Sequence, residues 1–134
     1  IKVINDSKST SFSSTQELID TKKKTFWILG GLPKKGDKFT LSKKDCFNLR
    51  AYIFGKNAEF FVKRLKDKVH YQKFNNMISA IKKIKIDFKK EQMSNEKIIL
   101  FSPASASFDD FKNFEDRGNY FNYQLRKIGI NGKK

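Results

Sequence analysis

The stretch that decides the fold of this chain is Lys97-Ile-Ile-Leu-Phe101, followed directly by Ser102-Pro-Ala-Ser-Ala-Ser107. The apolar run is typical of a buried strand, and the small hydroxyl residues after it are typical of a loop leading into a helix. We predict that Ser107 caps that helix, with Asp110 as the second arm of a capping box. The first helical turn would then offer N–H groups to a carboxylate or phosphate, unless the box is only a cap.

Strand and helix patterns alternate along the whole chain. A capping box of Ser14 and Glu17 predicts a short helix, and apolar spacing predicts helices over 58–65 and 77–88. The final helix would bury Phe111, Phe114, Phe121, Leu125 and Ile128. Strand-like runs cover residues 2–6, 25–29, 50–54, 69–74 and 97–101. This alternation predicts an α/β fold, Rossmann-like, with a mostly parallel sheet and helices on both faces.

Composition points to a folded domain. The 134 residues include 14 Phe, and 38% are hydrophobic, so a core of ordinary size is expected. No apolar run approaches the length of a membrane span. The single Cys46 and the single His70 are both predicted to pack rather than to react. The chain begins at Ile1 rather than Met, so we expect it to be a piece of a longer protein.

Polar segments follow three of the predicted strands. They are Asn5-Asp6-Ser7-Lys8-Ser9-Thr10, the turn Gly30-Gly31-Leu-Pro-Lys34-Lys-Gly-Asp37, and Ser102–Ser107. In parallel sheets ligands bind at the carboxyl ends of strands, so these segments predict one shared site. Each segment alone is also compatible with an ordinary polar turn. The chain contains no phosphate-binding P-loop, no His/Cys cluster with metal-ligand spacing and no nucleophile elbow.

Taken in order, the three segments resemble the signature of the D-glutamate-adding Mur ligases, the UDP-N-acetylmuramoyl-L-alanine:D-glutamate ligases. That family has Asn-Asp-Ser-Lys-Ala-Thr, a Gly-Gly-x-x-Lys-x-x-Asp turn, and Ser-Pro-Ala-Cys-Ala-Ser followed by Phe-Lys-Asn-Phe-Glu and Arg-Gly. The resemblance covers only the family's C-terminal domain. It implies that residues 1–134 form a single domain, the C-terminal amino-acid-binding domain of a longer three-domain ligase.

The resemblance also implies the chemistry. Such a ligase is cytoplasmic and acts in bacterial peptidoglycan synthesis, where it uses ATP and Mg²⁺ to form an acyl phosphate that the amine of D-glutamate attacks. The P-loop, the Mg²⁺ ligands and most contacts to UDP-N-acetylmuramoyl-L-alanine would lie in the preceding domains, including the central ATPase domain. This chain alone is therefore expected to be inactive, and a monomer is expected.

Residue roles follow by motif position in the resemblance. Asp6 would contact the nucleotide ribose, and Lys8 would be the catalytic cation facing the phosphates and the acyl phosphate. The positions that would bind D-glutamate are Thr10, Lys34, Ser107 and Phe114. Lys35 adjoins Lys34, so either lysine is a candidate for that contact. Asp37 is expected to hold its loop in place.

Net charge leaves one alternative open. The chain carries a formal charge of +15, which suits nucleic acid as well as an anionic substrate such as ATP or a UDP-sugar. Because 25 of the 29 basic residues are Lys and they are scattered, we expect a solvated surface and no nucleic-acid partner. Because no apolar run is long enough to span a membrane, we also expect no membrane partner. The alternatives are another Mur-type or folylpolyglutamate-type amide ligase, or a stand-alone anion- or nucleic-acid-binding module.

Overall fold

The computed structural model describes residues 2–91, 96–107 and 111–130. A 3₁₀ turn covers Lys44–Cys46. The helices are α1 (Phe12–Gln16), α2 (Ala58–Leu65), α3 (Met77–Lys90) and α4 (Phe114–Lys127). The strands are β1 (Lys2–Asn5), β2 (Lys24–Gly30), β3 (Leu32–Pro33), β4 (Leu49–Phe54), β5 (His70–Phe74), β6 (Lys97–Phe101) and β7 (Ser105–Ala106).

Five strands form one parallel sheet in the order β1-β6-β2-β4-β5. The register is fixed along the middle of the sheet, where Ile99 of β6 lies between Val3 of β1 and Phe26 of β2. Residues of β2 and β6 are buried almost throughout because both faces of the sheet are covered. The predicted parallel α/β sheet is confirmed, and β6 lies in its interior.

Helices cover both faces, as predicted. On one face, α3 and α4 pack against Phe26, Ile28 and Phe101. The rings of Phe101 and Phe121 stack with their centroids 4.5 Å apart. On the other face, α1 and α2 pack against β2 and its neighbours, and residues alternate between the two cores as strand geometry requires.

A small ribbon that the sequence did not predict lies beyond the main sheet. Strands β3 and β7 pair antiparallel, with Leu32 opposite Ala106 and Pro33 opposite Ser105. The chain enters β3 through Gly31, whose φ is +127°, and a Cβ there would lie 2.6 Å from Ser105 Oγ. Only glycine fits this position without displacing the ribbon.

The final helix begins later than predicted. Helix α4 starts at Phe114, and its cap is Asn113, whose side-chain oxygen accepts a 2.8 Å hydrogen bond from Asp116 N. The prediction that Ser107 caps this helix is wrong, and Asp110 lies outside the described residues. Ser107 instead follows β7 directly, and its carbonyl accepts a hydrogen bond from Phe111 N.

Helix α1 is also capped at a different residue. Its N-cap is Ser11, whose hydroxyl accepts from Ser14 N, so the predicted box of Ser14 and Glu17 is wrong. The extended backbone of Ser11, with φ −148°, is the geometry that an N-cap requires. A short helix is present in this region, but it begins at Phe12 and ends at Gln16, before the predicted second arm Glu17.

The single cysteine and the single histidine have opposite environments. Cys46 is 3% exposed, as predicted, and burial raises the pKa of its thiol to about 11, although the charge of Lys68 acts in the other direction. His70 is exposed, so its predicted packing role is wrong. The reason is that β5 is an edge strand whose residues are mostly exposed.

Candidate functional site

Three polar loops meet at the carboxyl edge of the sheet because β1, β6 and β2 are neighbours. Backbone hydrogen bonds join the loops: Asp6 N donates to Phe101 O at 2.7 Å, and Gly30 N donates to Pro103 O at 3.3 Å. The prediction that the three motif segments share one edge is confirmed. This edge is the place where parallel α/β sheets bind ligands.

A chain of buried hydroxyls holds the carboxylate of Asp6. Ser102 Oγ donates to Asp6 Oδ2 at 3.0 Å and lies 2.6 Å from Thr15 Oγ1, which lies 3.0 Å from Ser9 Oγ. An ionised carboxylate only accepts, so Ser102 uses its one proton on Asp6 and must accept from Thr15. Ser9 Oγ also donates to Ser11 O at 3.3 Å. The Ser102 and Thr15 hydroxyls therefore both direct their protons toward the carboxylate and hold it in one orientation.

Ser105 joins the third loop to the other two. Its hydroxyl donates to Gly30 O at 2.6 Å, and its backbone N–H donates to Ser9 O at 3.3 Å. The preceding Ala104 is buried with φ +55°, a conformation uncommon for residues with a side chain. Because Trp27 Nε1 also donates to Ser102 O at 2.7 Å, this loop is held tightly on the sheet.

Arg117 anchors helix α4 to the same loops. The side chain is 1% exposed, and Nη1 donates to Ser105 O at 3.0 Å. Nε donates to Ser7 Oγ at 3.1 Å, and Nη2 donates to Ser7 O. Ser7 Oγ itself donates to Phe114 O at 2.6 Å. A buried guanidinium is costly unless it is hydrogen-bonded, so these contacts specify how α4 meets the first and third loops.

Sequence reasoning assigned no role to Ser7 or Arg117. Both lie inside the segments that carry the resemblance. Their presence in those motifs, without a ligand to bind, was the sequence signal for a structural role. Gly118 belongs to the same group, since a Cβ there would lie 3.0 Å from Ser7 Cβ. The amide of Asn5 donates to Gly118 O at 2.9 Å and closes the contact. The Arg-Gly pair therefore allows α4 to approach the first loop closely.

A cleft of about 250 Å³ opens between the first loop and the beginning of α4. Three residues that the resemblance singled out line it: Asp6, Lys8 and Phe114. Lys8 is exposed, and the side chain of Phe114 is 44% exposed rather than part of the core stripe. The structure thus brings together a fixed carboxylate, an exposed ammonium and an aromatic ring.

The other three candidates lie outside this cleft. Thr10 is exposed and follows the buried Ser9. Lys34 is exposed immediately after β3, whereas Ser107 is 3% exposed immediately after β7. Because β3 and β7 are antiparallel, Lys34 and Ser107 stand at opposite ends of the ribbon. A ligand contacting both would have to extend along it.

Asp37 holds the second loop, as predicted. Its Oδ2 accepts from Phe12 N at 2.8 Å, and its carbonyl accepts from Arg64 Nε at 2.8 Å. These bonds tie the loop to α1 and α2. Gly36, with φ +81°, thus lies between Asp37 and the ribbon, and Lys34 and Lys35 are exposed on a supported turn.

The chemistry available at this edge is binding and positioning. Across the described ranges, no three His, Cys, Asp or Glu side chains come together as a metal site would require. No described helix is both long and apolar enough to cross a membrane. A second opening of about 470 Å³ lies at the ends of β4 and β5, where Lys73 forms a 2.5 Å ion pair with Glu59. It contains none of the predicted residues.

No family model matches the chain. The chain is 39% identical over 129 residues to a UDP-N-acetylmuramoylalanine–D-glutamate ligase of Wolbachia pipientis wMel, covering 96% of this chain and 25% of that protein. Ligases of the same name are 36% identical over 126 residues in Wolbachia sp. subsp. Brugia malayi (strain TRS) and 34% over 125 residues in Nitrobacter hamburgensis, each covering 93% of this chain. Those two matches span 25% and 27% of the relatives.

Fold, loop sequences and relatives agree on the class, which is that of the Mur ligases. Within that class the chain belongs to the UDP-N-acetylmuramoylalanine–D-glutamate ligase family. The chain spans about a quarter of the length of the curated relatives it matches.

Proposed function

We propose that this chain is the C-terminal domain of a ligase that joins D-glutamate to UDP-N-acetylmuramoylalanine in the bacterial cytoplasm. The observation that carries the proposal is the meeting of three motif loops at one sheet edge, with Asp6 and Lys8 lining one cleft. The names of the relatives supply the reaction. The residues 1–134 would act as a single domain of a monomeric three-domain enzyme.

In the proposed reaction ATP phosphorylates the alanyl carboxylate, which gives an acyl phosphate and ADP. The amine of D-glutamate then attacks the acyl carbon, the C–N bond forms, phosphate leaves and the amine loses a proton. Within residues 2–91, 96–107 and 111–130, no three His, Cys, Asp or Glu side chains come together. The metal ligands and the P-loop would come from preceding domains. The part played by this chain is to position substrates, an effect worth about 7–11 kcal/mol of barrier in well-aligned systems.

Asp6 and Lys8 would form the nucleotide side of the site. The hydroxyl chain holds the Asp6 carboxylate in one orientation, which suits a hydrogen bond from a ribose hydroxyl. Lys8, two residues on, is exposed and has the reach to follow a moving phosphoryl group. As charge on that group grows in the transition state, a nearby cation stabilises the transition state more than the ground state.

D-glutamate would bind across the loops through Thr10, Lys34, Ser107 and the region of Phe114. Support comes from the bonds that unite these loops, above all Ser105 to Gly30 and Ser7 to Phe114. The two ends of the ribbon offer an ammonium at Lys34 and a hydroxyl at Ser107, which fits a ligand with two separated carboxylates. Lys35 remains the neighbouring candidate for the ammonium.

The deciding experiment measures ADP release by the full-length protein with ATP, Mg²⁺ and UDP-N-acetylmuramoyl-L-alanine. We expect release to depend on D-glutamate and to be absent with the 134-residue chain alone. Dependence on a different amino acid would establish the alternative of another amide ligase. Absence of any amino-acid dependence, together with salt-sensitive DNA binding, would establish the nucleic-acid-binding alternative.

A further inference from the structure

The outer surface of α3 and α4 carries apolar residues among cations. Both helices pack on the same face of the sheet, with Ile84 and Leu125 buried against it. Ile86 lies two residues from Ile84, and Tyr123 lies two residues from Leu125. Two residues correspond to a rotation of about 200° around a helix, so both side chains point outward. Lys85 Nζ donates to Ile128 O and ties the helices side by side. We call this surface the basic helix face: Lys82, Ile86, Lys89, Tyr123, Arg126 and Lys127.

Two of the large hydrophobic side chains that are exposed in the described part of the chain lie on this face. Ile86 is 50% exposed and Tyr123 is 53% exposed. The acidic residue nearest in sequence, Asp87, is turned inward and bonded to Tyr52 and Lys83. The acidic residues of α4 lie in its first turn, away from Arg126 and Lys127. The basic helix face is therefore positive around two apolar side chains.

The cations alone have a simpler explanation. Lys89, Arg126 and Lys127 lie in the last turns of their helices, where positive charge complements the helix dipole. Lys127 Nζ also lies 5.8 Å from the centroid of the Tyr123 ring. Neither the helix dipole nor this contact accounts for the exposed Ile86 on the same face. A nucleic acid would use the cations but gain nothing from an aliphatic side chain between them. An anionic lipid surface uses both, since lysines contact headgroup phosphates while apolar side chains enter the interface.

We propose that the basic helix face docks on an anionic lipid surface, with Ile86 and Tyr123 entering the headgroup region. The expectation of no membrane partner rested on the absence of a spanning run, and peripheral docking needs none. The helices run opposite to the parallel strands, so their last turns lie toward the amino edge of the sheet. The cleft at the beginning of α4 is at the other edge and stays open when the face is docked.

The test is cosedimentation of the chain with vesicles of phosphatidylcholine alone and with vesicles that also contain about 30% phosphatidylglycerol. The anionic lipid gives the vesicle its negative surface potential. The variant Lys82→Gln/Ile86→Gln/Lys89→Gln removes two charges and one apolar side chain at exposed helical positions. A matched control, Phe47→Gln/Lys63→Gln/Lys66→Gln, also removes two charges and one apolar side chain, with Lys63 on α2 and Lys66 directly after it, across the sheet. Circular dichroism melts establish that both variants fold.

We expect binding only to the anionic vesicles, weakened by salt. The face variant should lower the partition coefficient about 25-fold, since each cation contributes about fivefold, and the control should change it less than threefold. Equal loss in both variants would overturn the proposal, because binding would then reflect net charge alone. Binding of DNA but not of anionic vesicles would also overturn it. So would binding by this chain that disappears in the full-length protein, since the face would then be covered.

Discussion

Ser102 Oγ donates a 3.0 Å hydrogen bond to Asp6 Oδ2, although the two residues are 96 positions apart in the chain. The bond joins the loop after β6 to the loop after β1. Since Ser102 also accepts from Thr15, the orientation of the Asp6 carboxylate depends on three elements at once. A nucleotide contact through Asp6 would therefore be sensitive to residues that never touch the nucleotide.

Ser102→Ala should raise KM for ATP in the full-length ligase while KM for D-glutamate changes little. The substitution removes the donor that orients Asp6 and leaves Thr15 without its acceptor, with a cost of about 1–3 kcal/mol in stability. Steady-state kinetics with each substrate varied would measure the split, and a denaturant melt would measure stability. The exposed Ser79→Ala serves as control. Equal rises in both constants would mean that Ser102 only maintains the fold.

Lys8→Ala should lower kcat far more than it raises KM for D-glutamate. The charge of the transferring phosphoryl group develops in the transition state, where a nearby cation is most effective. Lys38→Ala, at an exposed position of the second loop, should leave kcat near that of the parent. If Lys8→Ala changes only KM for D-glutamate, Lys8 belongs to the amino-acid pocket instead.

Lys34→Ala and Ser107→Ala should each raise KM for D-glutamate about tenfold or more, with KM for ATP nearly unchanged. Each removes a donor to a carboxylate, and such charge-assisted bonds contribute about 1.5–3 kcal/mol. Because Asn113 and not Ser107 caps α4, Ser107→Ala tests the hydroxyl without the loss of a helix cap. Lys35→Ala is the matched control for Lys34. A larger effect at Lys35 would transfer the ligand role to that residue.

Tyr52→Phe should destabilise the fold by about 1–3 kcal/mol at neutral pH, because it removes a 2.7 Å hydrogen bond to buried Asp87. Burial acts to raise the pKa of Asp87, but hydrogen bonds from Tyr52, Lys83 and Gln72 outweigh it and hold the pKa below its ordinary value of 3.8. The carboxylate thus contributes stability fully above that value and loses it as pH falls through the lower folded-state pKa.

Burial and the hydrogen bond to Asp87 raise the pKa of Tyr52 above its ordinary 10.0. The pair therefore contributes a constant stability between the ordinary pKa of Asp, 3.8, and that of Tyr, 10.0. Urea denaturation of the parent and of Tyr52→Phe from pH 7 to pH 2 measures the difference between their free energies of unfolding. We expect this difference to become smaller below about pH 4. A difference in free energy of unfolding that is the same at every pH would show that Tyr52 acts through packing alone.

Gly31→Ala should destabilise the protein by well over 1 kcal/mol, because a Cβ would lie 2.6 Å from Ser105 Oγ and 2.9 Å from Ala106 O at a φ of +127°. Gly36→Ala is the matched control. Its φ is also positive, at +81°, but nothing lies within 4 Å of the added Cβ, so it should cost about 1 kcal/mol. Thermal melts of the two variants compare strain with and without the clash. Equal costs would mean that the ribbon moves to accept a side chain.

The sheet and its principal helices could be predicted from sequence because their signals are local. The run that forms β6 is apolar along its whole length, as burial on both faces requires, and Phe121 and Leu125 repeat at helical spacing. Three neighbouring strands with polar residues after their carboxyl ends also predicted where the loops meet. The sequence alone also indicated Asp6 and Lys8 as site residues, through their positions in the first motif.

The remaining features depend on competition between distant segments. Ser107 and Asn113 both have side chains that can cap a helix. The residue that caps α4 is Asn113, whose side chain accepts from Asp116 N, while Ser107 follows the β3–β7 pairing. A ribbon of two residues per strand has no periodicity to detect. Burial of Arg117 likewise contradicts the usual exposure of arginine. Its guanidinium donates to acceptors that Ser7 and Ser105 supply from two other loops. Local burial patterns thus determined, from sequence alone, the principal helices and strands and their order along the chain. Only the tertiary structure decided the caps, the ribbon and the anchoring of α4, because these depend on contacts between segments that the local pattern does not reveal.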